Sequence, residues 1–192
     1  MRKILLCLLA TAAVAFAQEN PPKAATPPPD NPYSTFNKFA YKRLKDILLR
    51  SAEKMPEADY SFKPADSVRT YGQIIGHVAD AQYIFCSKAL GETNPAPNVE
   101  KTKISKADLI AALKDAFAYC DKAYDGMTDA SGTQMVPLFG PNPAPKMGVL
   151  EVNNMHNMEH YGNLVTYMRI KNIVPPSSEQ PPPPPPQEPP KK

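Results

Sequence analysis

Several things are scarce in this 192-residue chain, and each scarcity narrows what it can do. Lys and Arg total 22 against 19 for Asp and Glu, and no segment gathers basic residues into a stripe. A nucleic-acid surface needs such clustering, so no nucleic-acid partner is expected. The apolar run from Ile4 to Phe16 is shorter than the ~20 residues that cross a bilayer as a helix. No stable membrane span is therefore expected. No convincing stretch alternates apolar and polar residues as a half-buried strand would, and no internal repeat is visible. Cysteine and histidine are both rare, at three each.

Proline is the excess, with 24 residues, and its placement is uneven. The prolines crowd into two segments, Pro21 to Pro32 and Pro175 to Pro190, and thin out between them. Ahead of the first cluster, Arg2 and Lys3 precede the apolar run, and Ala15-Phe16-Ala17 offers a small-x-small cleavage site. Residues 1–17 thus read as a signal peptide, and the protein as exported, either periplasmic or secreted. Cys7 lies inside that apolar run and is given no role. Residues 18–32 read as a proline-rich linker. Residues 175–192 read as a proline-rich tail whose run Pro181 to Pro186 favours an extended polyproline helix, a stiff spacer or disordered end. Removing residues 1–17 leaves a nearly neutral chain with two cysteines, Cys86 and Cys120. Outside the cytoplasm these either pair or remain buried thiols, depending on whether their helices face each other.

Between the ends, residues 33–174, four helices are expected. The first runs from about Ser34, a candidate cap, to Ala52, with Phe36, Ala40, Leu44, Ile47 and Leu48 on one stripe. The second covers about Ser67 to Leu90, carries Ile74, Ile75, Val78 and Phe85, and stops at Gly91. The third opens at Ser105 with Asp108 three residues on, and its stripe is Leu109, Leu113, Ala116, Phe117, Cys120, Tyr124 and Met127. The fourth spans about Gly148 to Asn172 and ends before Pro175. Together they predict an all-α, antiparallel four-helix bundle. The proline-rich connection from Asp129 to Lys146 leads into the fourth helix and is placed to cover the mouth of a site.

All three histidines fall on predicted inward faces. His156 and His160 are four apart on the fourth helix, about 40° around the axis and about 6 Å along it. At their phase lie Val149, Val152, Asn163 and Tyr167. His77 stands at the edge of the second helix's apolar stripe. Imidazoles so placed can converge on one divalent ion, whereas a lone histidine on an apolar face is usually a hydrogen-bonded core residue. His156 to His160 also spells H-x-x-E-H, the inverted zinc-protease signature, but that class needs a further acidic ligand on more folded chain downstream.

The pattern of Gly76-His77-Val78-Ala79-Asp80-Ala81-Gln82 in the second helix, with His156-Asn157-Met158-Glu159-His160-Tyr161-Gly162-Asn163 in the last, resembles the DinB/YfiT-like superfamily. The resemblance covers about residues 34–172; the Gly162-Asn163 pair falls one residue later than the Gly-Gln common in the family. It implies a four-helix metalloprotein with His77, His156 and His160 as ligands, and bundles that often pair into homodimers. Characterised relatives include transferases and isomerases using low-molecular-weight thiols, which are cytoplasmic, whereas this chain reads as exported.

Three neutral imidazoles leave at least one position on an ion open. The expectation is thus a metal-dependent hydrolase or transferase activating water or a thiol against a small-molecule substrate. Zinc is the first choice, and nickel or iron(II) also accept imidazole. Asp80 and Glu159 are the acids nearest the ligands in sequence, candidates to orient an imidazole or act as general base; the alternative for each is a solvated helix face. Cys86, nine residues after His77, falls on the opposite side of the second helix. The competing functional reading is a non-catalytic exported bundle that binds a metal or small ligand.

Overall fold

The computed structural model describes residues 30–140 and 142–180. The expected signal peptide, most of the linker and the run Pro181 to Pro186 lie outside these residues. Four long helices form the body: α1 (Pro32–Lys54), α2 (Tyr71–Leu90), α4 (Lys106–Asp125) and α6 (Lys146–Ile170). Shorter elements join them: α3 (Val99–Thr102), α5 (Asp129–Gly132) and the antiparallel pair β1 (Met135–Phe139) and β2 (Asn142–Pro145). None of the described helices is long and apolar enough to cross a membrane. The four-helix bundle is as expected; the hairpin, inside the connection read as irregular, is an addition.

Local signals set most helix ends. Thr70 begins α2 with a reciprocal capping box to Gln73, four residues later than predicted, and Gly91 ends it at φ 76°, where a side chain would be strained. Ser105 accepts from the Asp108 N–H and starts α4 as the sequence indicates. For α1 the reading needs correcting. Ser34 lies inside the helix, and its N–H and that of Tyr33 donate to the Asp129 carboxylate at 2.8 and 3.2 Å. An acid distant in sequence thus caps the helix. The buried face of α1 runs through Ser34, Asn37, Tyr41, Leu44 and Leu48, while Phe36 is exposed and Ala40 half-buried. The phase is rotated by polar anchors: Tyr41 donates to the Phe117 carbonyl, and the Asn154 amide donates to Asn37.

The core is one cluster shared by all four long helices, with Leu48, Tyr71, Ile75, Leu113, Phe117, Leu150 and Leu164 essentially inaccessible. The segment after α2 does not simply turn over. It returns along α2, where the Asp80 carboxylate accepts the N–H groups of Val99 and Glu100. A Cβ on Gly76 would lie 2.7 Å from the Glu100 Cα, so only glycine lets the returning backbone pass this close. As a result α2 and α4 run in the same direction. Leu109 sits beside Gly72 and Gly76, and one helix length on, Cys86 and Cys120 form a disulfide with Cα atoms 5.3 Å apart. The disulfide decides the question the sequence left open. Both sulfurs are buried on the side of α2 away from His77, as the spacing requires.

The end of the body also differs from the sequence reading. Residues 175–180, assigned to the tail, pack on α1 and α6. The Ser177 N–H donates to the Tyr161 hydroxyl, Glu179 pairs with Lys54 and Arg50, and Pro176 is buried. Pro175 and Pro176 are both buried there.

Candidate metal centre

α2 and α6 pack antiparallel, and this brings the three histidines together. The Nε2 atom of His156 lies 3.1 Å from that of His77 and 3.1 Å from that of His160. One nitrogen from each ring falls within a 4.8 Å group, and among the described residues no other such group of three is found. His160 is buried, and His77 and His156 are half-buried.

The donor set fits a shared cation. A neutral imidazole offers one N–H and one lone pair. Nε2 of His156 faces two other ring nitrogens, so one proton can join it well to only one of them, whereas a cation among the three can accept all their lone pairs. Burial, then His160, His77 and Arg69, pushes the His156 pKa down to about 3. Burial and then His77 lower that of His160 as well, partly opposed by Glu159 and Glu100. Both rings are thereby held in the neutral form that ligates metals.

The outer contacts of the rings differ from those expected. Glu100 Oε2 lies 3.2 Å from His77 Nδ1, and its Oε1 accepts from Arg69 Nε at 3.0 Å. A carboxylate at Nδ1 keeps the proton there and leaves the Nε2 lone pair for the cluster. The Asn163 amide lies 3.4 Å from His160 Nδ1, while His156 Nδ1 is buried with no hydrogen-bond partner. Asp80 does not orient an imidazole: both its oxygens are occupied by the Val99 and Glu100 N–H groups, at 2.6 and 2.9 Å. It acts on His77 only by holding the segment that carries Glu100. Glu159 is exposed in a cleft beside His160 and touches no ring. Sequence reasoning missed Glu100 because it lies in a connection with no periodicity. Its one trace was Gly76, a bare position immediately before His77.

Comparison with known proteins supplies the lineage. Residues 40–164 match the DinB superfamily. The chain belongs to that superfamily. The uncharacterised protein YjoA of Bacillus subtilis is 23% identical over 128 residues, covering 65% of this chain and 82% of YjoA. The structure of a DinB-like protein from Bacillus cereus superposes with TM-score 0.65 at 16% identity, over 73% of this chain and 93% of that one. The mycothiol-dependent maleylpyruvate isomerase shares the fold at TM-score 0.54 and 14% identity, over 70% of this chain and 65% of that one.

Two cavities flank the histidines of this DinB-superfamily bundle. One, about 400 Å³, borders His77 and His156 and is walled by α2, the returning segment and Phe139 of the hairpin. The connection from Asp129 to Lys146 therefore does reach the site. The other, about 830 Å³, borders His160 and Glu100 and is largely polar.

Proposed function

We propose that His77, His156 and His160 hold one divalent ion, zinc by first choice, in an exported DinB-superfamily protein that hydrolyses a small molecule or transfers a group to it. The convergence of three ring nitrogens, with His156 Nε2 at 3.1 Å from each of the other two, carries this reading. The buried disulfide supports export, since such bonds persist in oxidising compartments.

The roles of the residues follow from their contacts. The three imidazoles would be the ligands. Glu100 sets the tautomer of His77, and Arg69 holds Glu100 in place. The ion, when bound, supplies Lewis acidity toward a carbonyl or a water. Glu159, beside His160 in the polar cleft, is placed to take a proton from a group there. The fold shared with a mycothiol-dependent isomerase favours thiol transfer as a second reading. An exported chain would then need a thiol found outside the cytoplasm.

Metal content of the purified protein tests the centre. About one equivalent of zinc, nickel or iron is expected in the wild type, and none in a folded His156→Ala variant. No uptake of any of the three after reconstitution would overturn the site. A loaded protein with no activity across ester, amide and thiol-transfer screens would favour the non-catalytic binder.

A further inference from the structure

The two cavities border different members of the histidine group and differ in chemistry. On the His77 and His156 side the wall is Ala81, Ile84, Phe85, Pro97 and Phe139. The rings of Phe85 and Phe139 meet edge-on at 5.9 Å, and Phe85 packs 5.7 Å from the His156 ring. Two of the polar residues at this cavity are engaged within the chain. Asp80 holds two backbone N–H groups, and Asn94 Oδ1 accepts from Ala96. On the His160 side the lining is Lys63, Arg69, Thr70, Gln73, Glu159 and Asn163, with charges of both signs.

From this we infer that the site takes a small amphiphile. Its compact apolar part, an aryl or branched alkyl group, lodges against Phe85 and Phe139 in the smaller cavity, and its hydrogen-bonding part lies at His77 and His156. The inference rests on the metal reading for what happens at the histidines, but not for the polarity of the two compartments. The apolar cavity, about 400 Å³, suits a ring-sized group rather than a long chain. An apolar group gains by leaving water there, whereas a charged one would lose hydration against the apolar wall. Phe139 stands on the hairpin, 62% exposed, so the apolar wall is completed by a residue that contributes little to the core.

Two measurements on the full chain test this. Benzohydroxamate and acetohydroxamate are titrated calorimetrically into zinc-loaded protein; the aryl probe is expected to bind about tenfold more tightly, its ring being buried. That preference should fall to about twofold in Phe139→Ala and in Ile84→Glu, both exposed positions where folding is preserved. Benzyl alcohol is then examined with metal-free protein by saturation-transfer NMR. Transfer in the wild type and its loss in Ile84→Glu are expected. Zinc uptake combined with no aryl preference and no transfer from benzyl alcohol would overturn the inference while leaving the metal site intact. Transfer from benzyl alcohol in a protein that takes up no metal would support the apolar compartment and sink the metal reading instead.

Discussion

α6 carries two polar clusters within two turns, and they are built on opposite principles. Asn153, Asn154 and Asn157 are buried and directed inward. The Gln82 amide donates to Asn157 at 2.6 Å, Asn153 donates to Gln82 at 3.0 Å and to Tyr124 at 3.2 Å, and Asn154 donates to Asn37. An amide can both donate and accept, so amides can pair with one another inside a core, although Asn153 Oδ1 and Asn157 Nδ2 are left without partners here. His77, His156 and His160 instead point like atoms at one another, and both cavities open onto them. The first cluster ties helices together. The second gathers donor atoms for something the chain does not supply.

The comparison can be tested in order of expected effect. The buried seam lies against the disulfide, with the Asn153 amide 3.9 Å from each sulfur. Replacing both cysteines, Cys86→Ala with Cys120→Ala, is expected to cost about 3–4 kcal/mol in urea unfolding, because the bridge closes a loop of some tens of residues. Metal stoichiometry should not change. Asn157→Ala comes next: it leaves the buried Gln82 amide only its 3.4 Å bond to the Val78 carbonyl, and about 2 kcal/mol of stability should be lost with one equivalent of metal still bound. If Asn157→Ala abolished metal uptake in a folded protein, the two clusters would be one functional unit and the contrast would fail. The smallest effect on the fold belongs to Glu100→Gln. Urea unfolding should move by less than about 0.5 kcal/mol, since the residue is near the surface. Metal affinity should drop about 10–100-fold in competition with a chelator, because Glu100 orients His77. An unchanged affinity would remove Glu100 from the site.

How far the site was legible depends on which contacts are local. His156 and His160 share one helix, so their convergence follows from helical pitch, and His77 was the only histidine left to join them. Glu100 was not legible: it reaches His77 by way of a returning segment held by Asp80. Asp80 itself was read from its nearness in sequence to His77, yet its carboxylate turns to the free N–H groups of α3, which would otherwise lack partners. Phe36 was misplaced for a related reason. The apolar stripe of α1 is mixed, and the phase is decided by Tyr41 and Asn37 finding polar partners on α4 and α6.

By itself, the sequence determined four long helices, the Ser105 cap of α4, the glycine stop of α2 and the inward placement of three histidines. Periodicity, capping and backbone strain act over a few residues, so those features need no knowledge of the rest of the chain. Tertiary structure alone decided that α2 and α4 run parallel, that Cys86 therefore meets Cys120, and that a carboxylate from a short helix turns one imidazole. It also decided that a hairpin phenylalanine walls the site. Those outcomes depend on the path of connections, and the path is chosen by the packing of distant residues, for which no local pattern exists.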